Sequence, residues 1–278
     1  MKTLQDKVVA ITGAGSGIGR ALACEAARRG ARLALADWNQ AGAEETAQLA
    51  GAARSFVRKV DVRSDAEVAA FAADVERELG GAHVVVNNAG VSLSDLIGKM
   101  KREDFEWLFQ INFWGVVRGT EAFLPQLLRQ DDAHVVNLSS IFGLIAVPGQ
   151  SAYNAAKFAV RGFTESLRQE LHGGPVHVTC VHPGGVRTNI VRNGRMVHNS
   201  LGESVDPSKA ASDFDALVKT TPGQAATAIW RGVLRNAPRV LVGGDAWLID
   251  KLQRLMPVGY PALVRMSWSS AHKRGIRL

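Results

Sequence analysis

Residues 7–29 read KVVAITGAGSGIGRALACEAARR, a stretch in which an apolar run, a glycine-rich turn and an amphipathic segment follow one another. The apolar run predicts a buried strand over Val8–Thr12, and the amphipathic segment predicts a helix near 18–29. Glycines between a strand and a helix let the backbone approach a pyrophosphate, which the N–H groups and the positive end of the helix attract. The stretch therefore indicates a nucleotide-binding α/β unit.

An acidic residue, Asp37, follows the next apolar run, Arg32–Ala36. Roughly 20 residues beyond the glycine turn, a carboxylate is placed to hydrogen-bond a ribose 2′-hydroxyl and to repel a 2′-phosphate. Trp38 rather than a basic residue follows the acid, and the glycine turn carries no Lys or Arg. This pattern favours NAD over NADP. The glycine spacing departs from G-x-G-x-x-G, so a merely flexible Gly/Ser turn is the alternative interpretation of the loop alone.

The alternation of apolar runs with helical intervals continues along the chain. Strands are predicted at Val8–Thr12, Arg32–Ala36, Ser55–Val60, Val84–Asn87, His134–Leu138, His177–Val181 and Arg239–Val242. Helices are predicted near 18–29, 39–50, 65–79, 103–129, 152–171, 222–236 and 246–256. The alternation predicts an α/β fold, a Rossmann-like doubly wound parallel sheet of about seven strands with helices on both faces. We expect one domain over 1–244, with a substrate lid at about 189–221, and a helical extension of the same domain over 245–278.

Polar or glycine-rich residues follow each of the first six predicted strands. In a parallel α/β sheet, ligands bind beyond the carboxyl ends of the strands, so these residues are expected to share one site. They are Gly13–Gly19, Asp37, Asp61 with Val62, Asn87–Gly90, Ser139 with Ser140, and Pro183–Gly185.

Tyr153 and Lys157 form a second pattern, because a four-residue spacing places two side chains on one face of a helix. An ammonium close to a phenol favours the phenolate, which predicts a pKa of Tyr153 below the usual value of about 10. A tyrosine tuned in this way can donate or accept a proton near neutral pH. On its own the pair arises by chance on many amphipathic helices, so its weight depends on the surrounding motifs.

Composition bounds the remaining possibilities. The 278 residues suit one large domain, and 46% hydrophobic residues allow a sizeable core. No apolar stretch of 18 residues and no signal-like segment is present, so a cytoplasmic protein is expected. The net charge of +7 is dispersed and is attributed to solubility, not to a nucleic-acid partner. No Cys/His cluster has metal-ligand spacing, so no metal site is predicted.

Taken together, these residues resemble the short-chain dehydrogenase/reductase family, in its shorter single-domain form, over about residues 5–244. Each motif alone is weak, but the ordered set is highly specific. The matching pieces are Thr12-Gly-x-x-x-Gly-Ile-Gly19, Asp61, Asn87-Asn-Ala-Gly90, Asn112, Ser140, Tyr153-x-x-x-Lys157 and Pro183-Gly-x-x-x-Thr188.

The resemblance implies four catalytic residues. Tyr153 would exchange the proton of the reacting hydroxyl or carbonyl, and Lys157 would lower its pKa and bind the nicotinamide ribose. Ser140, favoured over Ser139 by its spacing from Tyr153, would polarise the substrate oxygen. Asn112 would support a water-mediated proton relay to Lys157, with a polar kink in an apolar helix as the alternative role.

The resemblance also implies a set of residues that hold NAD. Asp61 and Val62 would contact adenine, and Asn88 with Gly90 would lie close to the ribose. Val186 and Thr188 would hold the nicotinamide carboxamide. His182 is expected to be a packed strand residue. The full cofactor set is Gly13, Ser16, Gly17, Ile18, Gly19, Asp37, Asp61, Val62, Asn88, Gly90, Tyr153, Lys157, Pro183, Gly184, Val186 and Thr188.

The function that follows is an NAD-dependent oxidoreductase that interconverts a hydrophobic secondary alcohol and its ketone. The apolar segment 141–150, together with 91–98 and 189–221, is expected to wall the substrate pocket. The alternatives are an NADPH-linked carbonyl reductase and a catalytically silent nucleotide-sensing scaffold. Arg192 or Arg195 in the lid could instead pair with an acidic substrate.

Partners are a small-molecule substrate and further copies of the chain. The resemblance implies a homo-oligomer, a dimer or tetramer, with an interface made by the helices near 103–129 and 152–171. For the apolar and basic tail 245–278, packing on its own subunit or on a neighbour is the plain interpretation, and a peripheral membrane contact is the alternative.

Overall fold

The protein is described by a computed structural model that covers residues 1–273. The strands of this part of the chain are β1 (Val8–Thr12), β2 (Arg32–Asp37), β3 (Ser55–Lys59), β4 (Val84–Asn87), β5 (Leu93–Ser94), β6 (Ala133–Leu138), β7 (Val176–Pro183), β8 (Arg195–Met196) and β9 (Arg239–Val242). The helices are α1 (Gly17–Arg28), α2 (Gln40–Ala50), α3 (Asp65–Leu79), α4 (Arg102–Phe109), α5 (Gly115–Leu128), α6 (Ser151–Glu170), α7 (Pro207–Leu217), α8 (Pro222–Leu234), α9 (Gly244–Leu255) and α10 (Tyr260–Lys273). The end of the predicted extension, 274–278, lies outside the described residues.

Seven strands form one parallel sheet in the order β3–β2–β1–β4–β6–β7–β9. The order reverses beside β1, which pairs with β2 on one side and β4 on the other. All seven predicted strands are present, so the predicted Rossmann-like sheet is confirmed. The crevice beyond the carboxyl ends of β1 and β4 is where such a sheet binds ligands.

Helices cover both faces of the sheet, and alternate residues of each strand enter opposite cores. Val9 and Ile11 pack with α1 and α8, where the Trp230 indole N–H donates to the Leu22 carbonyl at 3.1 Å. Val8 and Ala10 belong to the core on the other face, which α3, α5 and α6 cover. In that core the rings of Phe71 and Phe123 meet edge to face at 5.5 Å. Burial on both faces explains why the inner strands β1 and β4 are nearly continuous apolar runs.

A chain of buried polar side chains, here called the buried polar ladder, connects β4 and β6 to the helices behind them. Its members are Asn87, Thr120, Asn137 and Thr164, each less than 3% exposed. The Asn87 amide donates to Thr120 Oγ1 at 3.1 Å and to Asn137 Oδ1 at 2.8 Å. The Asn137 amide donates to Thr164 Oγ1 at 3.1 Å. Helix α5 approaches so closely that a Cβ on Gly119 would lie 2.1 Å from Asn87 Oδ1.

Several elements differ from the predictions. The single helix predicted near 103–129 is divided by a π-helical turn, Gln110–Trp114, between α4 and α5. The predicted lid contains β8 and α7, and β8 pairs with β5 in a small parallel sheet. Two-residue strands are too short for a periodic signal, which is why the sequence did not predict them.

No helix within residues 1–273 is both long and apolar enough to cross a membrane.

Candidate active site

The turn between β1 and α1 requires glycine at three positions, because of backbone angles at two of them and a close contact at the third. Gly13 and Gly17 have φ values of +67° and +54°, in the left-handed region that favours glycine. A Cβ on Gly19 would lie 2.1 Å from the Gly13 carbonyl oxygen. The spacing that departs from the usual fingerprint therefore builds a turn that requires glycine at these positions.

The N-terminus of α1 is the feature of this turn that suits a phosphate. Ser16 occupies the N-cap, but its side chain makes no capping hydrogen bond. Helices α2, α3, α7 and α8, in contrast, are each capped by a side chain. The first amides of α1 thus lack a side-chain acceptor, and amides at a helix N-terminus are a ready site for an anion.

Asp37 and Asn88 stabilise the turn from its two sides. The Asp37 carboxylate accepts from the Gly15 N–H at 2.7 Å and the Asn39 N–H at 2.8 Å. The Asn88 amide donates to the carbonyls of Thr12 and Gly13, both at 3.0 Å. Both side chains also line the cavity described next. Asn88, expected to lie close to a ribose, therefore also has a structural part in shaping the turn.

One cavity of about 1230 Å³ lies at the carboxyl edge of the sheet and brings most of the predicted site together. All predicted cofactor residues except Gly19 line it, and so do the predicted catalytic residues except Asn112. The lining cofactor residues are Gly13, Ser16, Gly17, Ile18, Asp37, Asp61, Val62, Asn88, Gly90, Tyr153, Lys157, Pro183, Gly184, Val186 and Thr188.

Ser140, Tyr153 and Lys157 converge at the inner part of this cavity, and each is less than 10% exposed. The Tyr153 hydroxyl is hydrogen-bonded to the Ser140 side chain. Lys157 Nζ donates to the Leu138 carbonyl at 2.9 Å and lies 5.6 Å from the centre of the Tyr153 ring. Helix α6 supplies the tyrosine and the lysine on one face, as their spacing predicts, and the end of β6 supplies the serine.

The two neighbouring serines have different roles. Ser139 Oγ donates to the Lys157 carbonyl at 2.8 Å and so connects β6 to α6. Ser140 Oγ accepts from the Phe142 N–H at 3.1 Å and also meets Tyr153. The choice of Ser140 over Ser139 agrees with this geometry.

The predicted lowering of the Tyr153 pKa is wrong for this structure. Burial raises the pKa of Tyr153 to about 12, and the hydrogen bond from Ser140 opposes this only in part. Burial also lowers the pKa of Lys157 to about 8. Removal of both groups from water disfavours the charged form of each and outweighs the attraction that the spacing suggested.

Asn112 lies in the π-helical turn and does not line the cavity. Its side chain is fully buried and is paired with the backbone of Val91, accepting from the N–H and donating to the carbonyl, both at 2.8 Å. Asn112 therefore positions the loop that carries Gly90 and lies at a local break in the helix. Its predicted part in a water-mediated relay stays a prediction.

Two residues of the site were not predicted from the sequence. His182 is fully buried, as expected, but its Nδ1–H donates to the Ser140 carbonyl at 2.9 Å. Burial lowers the pKa of His182 to about 4, so the ring is neutral near pH 7. Asp245 lines the cavity and accepts from the Gly185 N–H at 2.7 Å. Neither contact has a local sequence signal, because each joins distant parts of the chain.

The substrate end of the cavity is mostly apolar, and all three predicted wall segments contribute to it. Ser94 and Gln150 add polar groups at this end. The apolar lining consists of Val91, Trp107, Ile111, Ile141, Phe142, Ile190, Val191, Met196, Val205, Ala210, Phe214, Leu217 and Val218.

The segment predicted as a lid, 189–221, is attached to this wall by specific contacts. The Ser92 and Ser94 hydroxyls donate to the carbonyls of Ile190 and His198 at 2.7 and 2.8 Å. Arg192 pairs with Asp215 at 2.5 Å. Arg195 pairs with Asp104 and lies 4.0 Å from the centre of the Trp107 ring. Neither arginine lines the cavity, so the geometry does not favour an acidic substrate.

Among residues 1–266, whose side chains the structure describes, no group of three or more His, Cys, Asp or Glu residues is arranged to hold a metal ion.

Comparison with known proteins identifies the family. A family model described as short chain dehydrogenase matches residues 7–197. A Mycobacterium tuberculosis protein named SadH, provisionally designated an oxidoreductase, is 46% identical over 271 residues, which cover 95% of this chain and 96% of SadH. Estradiol 17-beta-dehydrogenase 11 of Pongo abelii is 29% identical, with 95% and 84% of the two chains covered. A short-chain dehydrogenase/reductase from Burkholderia phymatum, solved in complex with NAD, superposes with a TM-score of 0.84 at 29% identity, covering 92% of this chain and 95% of that chain.

Proposed function

The chain belongs to the short-chain dehydrogenase family, and we propose that it is an NAD-dependent oxidoreductase that interconverts a hydrophobic secondary alcohol and its ketone. The observation that carries this proposal is the convergence of Ser140, Tyr153 and Lys157 between a nucleotide-type turn and an apolar pocket. A proton-transfer group, an oxygen-polarising group and a cofactor-binding edge then meet in one cavity.

The residues present fit a nicotinamide dinucleotide. The free amides of α1 suit the pyrophosphate, and Asp37 at the end of β2 suits a ribose with an unmodified 2′-hydroxyl. When bound, the oxidised nicotinamide would supply the hydride acceptor and a positive charge that favours the anionic form of Tyr153.

The side chains of this protein would handle the substrate oxygen and its proton. Ser140 would donate to the oxygen and stabilise the negative charge that develops on it. In oxidation, Tyr153 as its phenolate would take the hydroxyl proton while the substrate carbon gives up a hydride, which leaves a ketone and a neutral tyrosine. In reduction, Tyr153 returns that proton. Lys157, whose pKa of about 8 leaves it mostly charged at pH 7, would stabilise the phenolate.

The apolar lining supports the choice of substrate class. Trp107, Phe142, Met196 and Phe214 surround the inner end of the cavity, and both lid arginines are paired within the chain. A pocket of this kind offers most of its contact area to an uncharged apolar body.

An NADPH-linked carbonyl reductase is the second candidate, and one observation favours it. Trp38 lines the adenine end of the cavity, and Lys59 Nζ lies 4.8 Å from the centre of its ring. Arg63 lies 5.9 Å from the same ring, although its guanidinium is already bound by Asp61. Cations at this edge would attract a 2′-phosphate. A kcat/KM for NADPH above that for NADH, reduced by Lys59→Met, would establish this alternative.

We also propose a cytoplasmic homo-oligomer with its interface on α5 and α6. Two side chains support this: Trp114, at the end of the π-helical turn that leads into α5, is 44% exposed, and Phe158 on α6 is 39% exposed. Cys24 and Cys180 are free thiols, which suits a reducing compartment. Multi-angle light scattering of the purified protein would show a monomer if the interface is absent.

The decisive experiment is NADH formation at 340 nm. The purified protein would be screened against secondary alcohols, sterols, polyols and hydroxy acids, with NAD and NADP in parallel. Tyr153→Phe should lower kcat by at least about a thousandfold while NADH binding by calorimetry stays within about twofold.

Tyr260→Phe is the matched control, because Tyr260 is the only other tyrosine and lies outside the cavity lining. It should keep wild-type turnover. A Tyr153→Phe variant with normal kcat would refute the acid–base assignment. NAD binding without turnover on any substrate would favour the silent scaffold.

A further inference from the structure

Helix α9 is attached to the domain by one face only. Ala246 is fully buried, and the buried Asp250 pairs with Arg239 at 2.9 Å and Arg254 at 2.8 Å. The opposite face presents Trp247, Leu248 and Leu255, which are 57%, 63% and 80% exposed, and the turn after it presents Val258 at 90%. These four residues are called the C-terminal apolar patch.

The exposed apolar side chains are concentrated here. Of the sixteen large apolar side chains that are exposed among residues 1–266, seven fall within 247–266. Single exposed apolar residues are ordinary on protein surfaces, whereas a cluster on one amphipathic element marks a contact surface.

The charge of the same segment indicates which surface would cover the patch. Residues 245–278 contain six Lys or Arg and two Asp, so they contribute +4 of the +7 net charge. Both acids face inward, Asp245 toward Gly185 and Asp250 toward Arg239. Lys251 lies on the patch, 5.7 Å from the centre of the Trp247 ring. A second copy of this segment would bring like charge against like charge, whereas an anionic lipid surface is complementary.

The patch is carried by elements that belong to the cavity wall. Gly244 and Asp245, the first residues of α9, line the cavity. At the start of α10, the Tyr260 hydroxyl accepts from the Ala146 N–H at 3.2 Å, and residue 146 lies in the loop that walls the substrate end. Any surface that binds the C-terminal apolar patch therefore lies next to the wall of the cavity.

We propose that the C-terminal apolar patch docks the protein on an anionic phospholipid surface. Trp247, Leu248, Leu255 and Val258 enter the interfacial layer, and Lys251 faces the headgroups. Its benefit for catalysis rests on the proposed function, because an apolar alcohol that partitions into lipid would be concentrated next to the cavity.

Sedimentation with vesicles tests the docking without any turnover. Wild-type protein is mixed with vesicles of phosphatidylglycerol and phosphatidylcholine, or of phosphatidylcholine alone, at 0.1 and 0.5 M salt. We expect pelleting with the anionic vesicles at low salt and a loss at high salt. Deleting the tail would also remove Asp245 and Asp250, whose contacts with Gly185 and Arg239 attach α9 to the domain. The exposed Leu248 and Leu255 are therefore substituted instead.

Leu248→Glu combined with Leu255→Glu should weaken vesicle binding by at least about tenfold. The control, Gln48→Glu with Leu49→Glu, makes the same change in charge at exposed positions of α2, where Leu49 is 61% exposed, and should pellet like wild type. Equal unfolding temperatures for the two variants show that both are folded.

Three outcomes overturn the docking: wild-type protein that stays in the supernatant, equal pelleting of patch and control variants, or a dimer in light scattering that the patch variant alone dissociates. Failure of the proposed function would instead appear as absent NADH formation with unchanged pelleting, so the two failures are distinguishable.

Discussion

Replacement of Lys157 by methionine should change how stability depends on pH. Lys157 is 4% exposed, and burial lowers its pKa from an ordinary 10.5 to about 8. Between these two values the unfolded chain holds the lysine proton while the folded chain loses it. The free energy of unfolding therefore rises with pH across this window, because the cost of burying the charge disappears.

The magnitude follows from the two pKa values. Integrated from pH 7 to pH 9.5, at about 1.36 kcal/mol for each unit of pKa, the contribution of Lys157 to stability rises by about 2 kcal/mol. Methionine is similar in length and carries no charge, so Lys157→Met removes this rise. The difference in unfolding free energy, wild type minus variant, should grow by about 2 kcal/mol over the same range.

Urea denaturation at pH 7.0, 8.0, 9.0 and 9.5 measures this difference. Burial also raises the pKa of Cys180 to about 12; this group is present in both proteins, so the difference removes its contribution except for its interaction with Lys157. Lys209→Met, at an exposed lysine on α7, is the control and should follow the wild-type profile. Parallel curves for wild type and Lys157→Met would refute the argument that the lysine is buried with a lowered pKa.

Three further substitutions test other contacts. Gly119→Ala places a Cβ 2.1 Å from Asn87 Oδ1 and should lower the free energy of unfolding, measured in urea, by at least about 2 kcal/mol. Gly162→Ala on α6 is the control, because a Cβ there meets nothing within 4 Å, and it should be neutral or stabilising. Equal effects of the two substitutions would contradict the close approach of α5. Asp37→Ala removes the acceptor of the Gly15 N–H and should lower the ratio of kcat/KM for NAD to kcat/KM for NADP by about tenfold or more. An unchanged ratio would mean that residues other than Asp37 determine the choice of cofactor. His182→Leu leaves the buried Ser140 carbonyl without its hydrogen-bond donor and should lower kcat about tenfold with little change in cofactor binding. His182→Asn keeps a donor and should recover part of the lost kcat. Equal loss of kcat in the two variants would mean that His182 acts through packing and not through this hydrogen bond.

The fold followed from the sequence because its signals are local. Strands β1, β2 and β4 contain nearly continuous apolar runs, and each run ends at a polar residue at the carboxyl edge, as at Thr12 and Asp37. The pair Tyr153 and Lys157 needed only the helical repeat to be placed on one face. Such signals lie within a few residues and do not depend on distant packing.

The features that the sequence did not predict depend on burial and on contacts between distant segments. The direction of the Tyr153 pKa was predicted wrongly, because spacing indicates a nearby charge but not the loss of water around it. The contacts of Asn112 with Val91, and of Asp245 with Gly185, join residues 21 and 60 positions apart. The π-helical turn also has no periodic signature, since its neighbours α4 and α5 continue the same helical pattern.

The buried polar ladder has a consequence for the accuracy of the catalytic edge. Asn87 and Asn137 are directly paired in the register of β4 and β6. A slip of one residue would turn an amide to the opposite face, and a slip of two would leave buried amides without partners, at about 1–3 kcal/mol each. The other residues of these strands are mostly similar apolar residues, so their side chains do little to favour one register over another. The ladder therefore acts as a register lock, and Asn88 and Ser139, the next residue or two along these strands, are set in place by alignment inside the sheet before any ligand binds.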